Sequence, residues 1–390
     1  MPREPRKVCF VITSFIHYSR NLLVLRELHR RRDVSLSLLV GGSALISKYT
    51  SSYGSTLELL ERDGFKDIYP THFTLEGDGQ AAKTKTAGLG IIECANAFVK
   101  IAPDVVVVRG DRFEVLSAAM AAAYLNIPVA HIEGGDVSGT IDESVRHAIT
   151  KLAHLHFPTH GDAARRIRAM GENPSYVFDV GSPDVEVASS FSRRKAAGFD
   201  INETGSGAHI DLSKPYLMVR FHPVWNETRD QMVAETSMLL EAVEGSGFQA
   251  LWFWPNDDTG AEYISHTLRS FNDQVPRHHI RFLRDLPPAL FVSLLARARC
   301  LIGNSSAGVK ECSVLGIPVV DVGTRQGARK RAGNVTVVPC TPRSLRAAIA
   351  TQSRAARYPK STIYSKPGTA RAIARIVATA PLYTQKSFHD

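Results

Sequence analysis

Cysteine is scarce in this chain and never paired. Cys9, Cys94, Cys300, Cys312 and Cys340 are odd in number and nowhere spaced C-x-x-C. That excludes a disulfide framework and a structural zinc site, so they read as small buried hydrophobes. No apolar run approaches the ~20 residues of a membrane span, and Met1 to Lys7 leads straight into a strand-like run without a signal-peptide core. A cytoplasmic location away from membranes is expected. Low-complexity tracts and short-period repeats are missing too, which excludes solenoids and arrays. The chain has neither G-x-x-x-x-G-K-[ST] nor G-x-G-x-x-G, hence no Walker loop and no dinucleotide fingerprint. No H-x-x-x-H pair has an acidic partner at metalloenzyme spacing, so a catalytic metal is not expected.

What is present suits a soluble globular protein of two domains. A single core stops growing at roughly 250 to 300 residues, and this chain has 390. The net charge of +9 comes from Lys and Arg spread along the chain without interleaved aromatic platforms. Nucleic acid is therefore not the expected partner; a basic cleft for a phosphorylated small molecule accounts for the charge.

Apolar β-branched runs at Lys7–Phe15, Val34–Val40 and Asp104–Val108 alternate with helical periodicity, as in Phe113–Tyr124. The rhythm restarts after a polar stretch, Phe191–Lys214, with strands expected at Pro215–Phe221, Gln249–Trp254, Arg299–Gly303 and Pro318–Val322. The expected class is α/β: two Rossmann-like, doubly wound domains facing a cleft. The first spans residues 1–184 and the second 185–368. A C-terminal helix, within 369–390, packs back on the first. Open parallel sheets take ligands at the carboxyl ends of their strands, so the loops there carry the candidates.

In GNSSAGVKE (Gly303–Glu311) a strand runs into small residues and then a helix from about Val309, which points backbone N–H groups at an anion. Ser305 and Ser306 add hydroxyls, although Asn304 and the serines also suit plain helix capping. Glu311 is placed to accept from ribose hydroxyls, and Arg325, in the next strand-end loop, adds a cation beside phosphates. Arg329, Lys330 and Arg331 read as a solvated loop. In the first domain RGDRFE puts Asp111 and Arg112 after a strand, with helix capping as the simpler role of Asp111.

HIEGGDVSGTIDESVRHAITKLAHLH (His131–His156) crowds Glu133, Asp136, Asp142, Glu143 and His147 around one strand end and one helix start. Thr140 to Glu143 has the form of a capping box. Ile141, Val145, Ala148, Ile149, Leu152 and Leu155 form one apolar helix stripe, with His154 and His156 at the helix end. Several acids beside Asp111 suit proton transfer, because burial and like charge push carboxylate pKa values apart. In the second domain, His222 of RFHPVWNET and Asn256 of WFWPNDDTG follow strands and can contact phosphate or sugar.

Taken in order, RGDRFE, HIEGGDVSGTIDESVRHAITKLAH, FHPV, WPNDDTG, GNSSAGVKE and GTRQGARKRAGNV resemble the hydrolysing UDP-N-acetylglucosamine 2-epimerases of the sialic and legionaminic acid type, from about Val8 to Val377. The resemblance implies a GT-B-like fold with the nucleotide on the second domain. It also implies a homo-oligomer, dimer or tetramer, and a cofactor-free conversion of UDP-N-acetylglucosamine to N-acetylmannosamine and UDP. By motif position Asp111, Glu133 and Asp142 are the catalytic acids. Ser19, Arg112, His147, His222, Asn256, Ser305, Ser306, Glu311 and Arg325 bind the nucleotide sugar.

One loop departs from the pattern. Where the family places an Arg before an acid and Tyr, this chain reads Thr13-Ser14-Phe15-Ile16-His17-Tyr18-Ser19-Arg20. Tyr18 and Ser19 match; the Arg and the acid do not. The base and the sugar therefore stay open, with UDP-N,N'-diacetylbacillosamine or a GDP-linked sugar as alternatives. The rival activities are a non-hydrolysing 2-epimerase, a GT-B glycosyltransferase and a non-catalytic nucleotide-sugar binding protein.

Overall fold

The computed structural model describes residues 4–49, 53–77, 79–193, 199–275 and 278–390. The chain divides into two compact units: residues 1–137, 141–187 and 364–390 form the first, and residues 138–140 and 188–363 the second.

In the first unit β1 (Arg6–Ile12), β2 (Val34–Gly41), β3 (Ile68–Thr71), β4 (Val105–Arg109), β5 (Val129–Ile132) and β6 (Leu155–Phe157) form one sheet in the order β3-β2-β1-β4-β5-β6. All pairs are parallel, with Val8 opposite Val105 and Arg109 opposite Ile132. Both faces must be covered, and the sequence shows it. Val105–Val108 is apolar without alternation and fully buried, because helices take both sides. Cys9, Val11, Val106 and Val108 pack with Phe98, Ala118 and Ala122 from the helices Gln80–Ile101 and Phe113–Tyr124. The C-terminal helix Thr369–Thr379 lies against the helix Phe15–His29.

The second unit repeats the plan. Its strands are β7 (Ser206–Gly207), β8 (Tyr216–Arg220), β9 (Gln249–Phe253), β10 (Ile280–Leu283), β11 (Cys300–Gly303), β12 (Val319–Val322) and β13 (Val335–Val338). Their order is β13-β12-β11-β8-β9-β10-β7, parallel except for the short edge strand β7. Leu217, Val219, Trp252, Phe282 and Ile302 fill the core with Leu239 and Leu345 from flanking helices. In each sheet the strand order reverses once, between β1 and β4 and between β8 and β11. Loops diverge there and leave room at the strand ends, where doubly wound sheets hold ligands.

Two local expectations need correction. The helix carrying the acidic run spans Ile141–Leu152, and Leu155 belongs to β6, so the apolar stripe ends at Leu152. Leu155 is three residues past Leu152 and fits the helical period by chance; pairing beside β5 buries it completely instead. His156 is accordingly a strand residue, and His154 directly precedes the strand. The second correction concerns the helix expected from about Val309. It is two short helices, Ser306–Val309 and Glu311–Leu315, broken at Lys310 with φ −96° and ψ −72°.

Candidate active site

At the carboxyl ends of β4 and β5 the first unit assembles a buried network of ions. Glu133 follows β5 with φ 73°, a conformation that a residue with a side chain seldom adopts. Its N–H donates to Phe157 O at 3.0 Å, and its Oε2 accepts from Arg109 Nη2 at 2.7 Å. Arg109 also pairs with Asp184, whose other oxygen lies 3.7 Å from Arg20 Nη1. Arg109, Glu133 and Asp184 are all buried. Such charges persist out of water only because each has an opposite charge in contact.

Asp111 stands on the neighbouring strand end. It pairs with Arg146, a fully buried guanidinium that also donates to Asp136 O at 3.0 Å. Asp142 lies four residues before Arg146 on the helix Ile141–Leu152, hence on the same face. Behind both acids His131 ties the loops together: Nε2–H donates to Gly110 O at 2.8 Å, and Nδ1 lies 3.2 Å from Thr150 Oγ1. Burial pushes the His131 pKa down to about 4, which keeps the ring neutral and its tautomer fixed. The turn Gly134-Gly135 needs both glycines. A Cβ on Gly134 would sit 2.9 Å from His131 Nδ1 and Thr150 Oγ1, and Gly135 has φ 71° with Ala163 O 2.5 Å from a would-be Cβ.

The remaining candidates of this unit stand further along the helices. Arg112 occupies the N-cap position of the helix Phe113–Tyr124, and its guanidinium grips Glu114 at 2.9 Å. His147 is half-buried, with Nε2 3.9 Å from Glu143 Oε1, and burial and Arg146 lower its pKa. Ser19 Oγ donates to Ile16 O at 3.4 Å within its own helix.

The second unit gathers its candidates around Asn304. The Asn304 side chain accepts from His222 N–H and donates to His222 O, both at 2.8 Å, which clamps the ends of β8 and β11 together. His222 Nδ1 accepts from Asn256 N–H at 3.2 Å, leaving Nε2 as the protonated nitrogen. Arg325 donates to Asn304 O at 3.3 Å and pairs with Asp258 at 3.2 Å. Ser305 caps the short helix by accepting from Ala307 N–H; Ser306 is half-buried and Glu311 buried. His222, Asn256, Ser305 and Arg325 are thus brought together. The solvated-loop expectation fails for Arg329, which is buried, and Arg331 reaches Asp321 at 3.4 Å.

Sequence reasoning missed Arg109, Arg146 and Asp184, and treated Asn304 as a cap. Arg146 falls within a helix that otherwise shows an ordinary polar face, and Asp184 meets Arg109 from 75 residues away. Only the RGD tripeptide, with Arg109 ending a fully buried strand, offered a signal.

Two doubly wound parallel sheets, each with polar side chains gathered at its reversal point, define an α/β protein of GT-B-like class. The family profile described as UDP-N-acetylglucosamine 2-epimerase matches residues 26–378, and the chain belongs to that family. It is 30% identical over 380 residues to a hydrolysing UDP-N,N'-diacetylbacillosamine 2-epimerase of Legionella pneumophila, covering 97% of each chain. It is 32% identical over 308 residues to a UDP-N-acetylglucosamine 2-epimerase of Neisseria meningitidis, covering 78% of this chain and 76% of that one. The fold is shared with the crystal structure of the UDP-GlcNAc 2-epimerase from Neisseria meningitidis bound to UDP-GlcNAc. The TM-score is 0.76 at 15% identity, over 95% of this chain and 99% of the other.

Proposed function

We propose that the protein is a hydrolysing 2-epimerase, converting UDP-N-acetylglucosamine or a close relative to a free manno-configured 2-acetamido sugar and UDP. The observation that carries this reading is the near full-length identity to a hydrolysing relative. Buried Glu133 and half-buried Asp111, each fixed against an arginine at the ends of β5 and β4, support it independently, since an elimination needs a positioned base. In the α-linked substrate the C2 hydrogen and the C1 oxygen are trans-diaxial. A carboxylate removes the C2 proton as the C1–O bond breaks, giving a 2-acetamidoglycal and UDP. Water then adds its hydroxyl at C1, and a proton returns to the other face of C2.

Asp111, Glu133 and Asp142 are the acids in this scheme. Ser19, Arg112 and His147 on the first unit, and His222, Asn256, Ser305, Ser306, Glu311 and Arg325 on the second, hold the nucleotide sugar. Arginine beside the diphosphate stabilises the charge that develops as it leaves. The enzyme works in the cytoplasm as a homo-oligomer and supplies free sugar for nonulosonic acid synthesis. The Legionella relative favours a second substrate, UDP-N,N'-diacetylbacillosamine.

Proton NMR in deuterated water tests the reading, with each nucleotide sugar supplied alone. Free manno-configured sugar carrying deuterium at C2, with UDP released, is expected from one of them. A product that keeps its nucleotide makes the enzyme non-hydrolysing. UDP release only after an acceptor is added makes it a glycosyltransferase.

A further inference from the structure

The turn after β1 buries an imidazole that the scheme above leaves unused. His17 lies in the first turn of the helix Phe15–His29, only 4% exposed, at the same reversal point of the sheet as Gly110–Arg112. Its backbone is fixed at both ends: its N–H donates to Ser14 O at 3.0 Å, and its carbonyl accepts from Asn21 Nδ2 at 2.7 Å. The ring is fixed by Thr13, whose backbone N–H donates to Nδ1 at 3.2 Å and whose hydroxyl lies 3.2 Å from the same nitrogen.

A nitrogen that accepts an N–H carries no proton, so the ring is neutral and Nε2 bears the hydrogen. The surroundings agree. Burial, then Arg109, Arg112 and Arg20, hold the His17 pKa well below its ordinary value, with Glu133 acting the other way. Nε2–H is on the ring edge opposite Thr13, and no residue among those described accepts from it. Nε2 is not sealed in by the described residues, so a ligand oxygen can reach it and accept its hydrogen. A neutral N–H suits an uncharged oxygen, whereas a diphosphate is better met by the guanidinium groups nearby.

We propose that His17 contacts the sugar: its Nε2–H donates to an uncharged oxygen of the bound hexose, a hydroxyl or the acetamido carbonyl, while Thr13 fixes the tautomer. This rests on the reading that the first unit handles the hexose of a nucleotide sugar. It makes His17 a determinant of sugar recognition in a loop where the family pattern has an acid.

The test contrasts His17→Gln with His17→Asn. A Gln side chain reaches far enough to place an N–H where Nε2 was; an Asn side chain can accept from Thr13 but presents no donor at that reach. Steady-state turnover is measured in the otherwise native enzyme. Calorimetric affinities for UDP-N-acetylglucosamine, UDP-N,N'-diacetylbacillosamine and UDP are measured with Asp111→Asn added, so that substrate survives. The expected result is a loss in kcat/KM of about 5-fold for Gln and about 100-fold for Asn. The affinity for sugar nucleotide should follow the same order and that for UDP should not change.

Asn behaving like wild type would overturn the proposal. So would equal losses in both variants with a lowered melting temperature, which would make His17 structural, or a parallel loss of UDP affinity. Absence of turnover on both nucleotide sugars would sink the hydrolysing reading, yet the Gln and Asn difference in binding would still decide the role of His17. If neither sugar nucleotide binds more tightly than UDP, both ideas fall.

Discussion

In the proposed scheme Asp111 exchanges a proton while touching a guanidinium. Arg146 is fully buried and fixed by Asp136 O, so it aims the Asp111 carboxylate. Asp111→Asn keeps an oxygen for Arg146 but removes the carboxylate that the proposed scheme uses. A fall in kcat of about 10²- to 10⁴-fold is expected, with UDP affinity within about 2-fold of wild type. Release of UDP at the native rate from this variant would remove Asp111 from the chemistry. Gly134 tests the support rather than the chemistry. A methyl group there meets the His131 and Thr150 side chains at 2.9 Å, and His131 in turn holds Gly110 O next to Asp111. Gly134→Ala should cost about 1–3 kcal/mol in urea unfolding and lower kcat as well. If stability falls while kcat is untouched, the His131 link does not position Asp111.

At the level of elements, legibility followed unbroken apolar runs. β1, β2, β4, β5, β8, β9, β11 and β12 lie within the sheets and are mostly buried, so their apolar runs marked them. Of the strands without such runs, β3 contains Pro70, β7 has two residues and β13 is only partly buried, whereas β10 is interior and buried but its apolar run is broken by Arg281. β6 was absorbed into the preceding helix because Leu155 kept the helical spacing. The site divides in the same way. Asp111 and Glu133 were legible because they directly follow such strands, whereas Asp184 and Arg146 reach it through tertiary pairing that no local pattern records. Gly303 shows how an element end can be over-determined. It ends β11 with φ 126°, and a Cβ would sit 2.0 Å from Arg220 O of β8. Gly303→Ala should therefore separate the strand ends that Asn304 clamps. The expected outcome is a loss of at least about 2 kcal/mol in denaturant unfolding together with weaker UDP binding. Native affinity in a folded Gly303→Ala protein would detach this junction from nucleotide binding.

Across the whole molecule the two units carry opposite proton linkages. In the first, burial lowers the pKa values of His17, His131, His154 and His156, with His131 at about 4. Their unfolded counterparts protonate near 6.5, so unfolding takes up protons and the first unit loses stability as pH falls from about 6.5 toward 4. Glu186, raised by burial, opposes this trend. Burial alone would raise the Glu172 pKa, but His156, Lys151 and Lys386 hold it at about 2, so its contribution is lost only below about 4.5. In the second unit, burial and Glu235 raise Glu227 to about 7. Burial also raises Asp321 to about 6 despite Arg331. Here the folded form holds the extra protons, and stability rises as pH falls from 7 toward 4.5; His278, lowered by burial, opposes it. The chain offers a way to watch the units separately, because its three tryptophans, Trp225, Trp252 and Trp254, all lie in the second. Urea unfolding followed by tryptophan fluorescence reports that unit, while far-ultraviolet circular dichroism reports both. On moving from pH 7.5 to pH 5 the dichroism midpoint should shift down relative to the fluorescence midpoint, and the transition should broaden. Midpoints that stay together, or a fluorescence midpoint that falls first, would mean that the buried histidines of the first unit do not govern its response to acid.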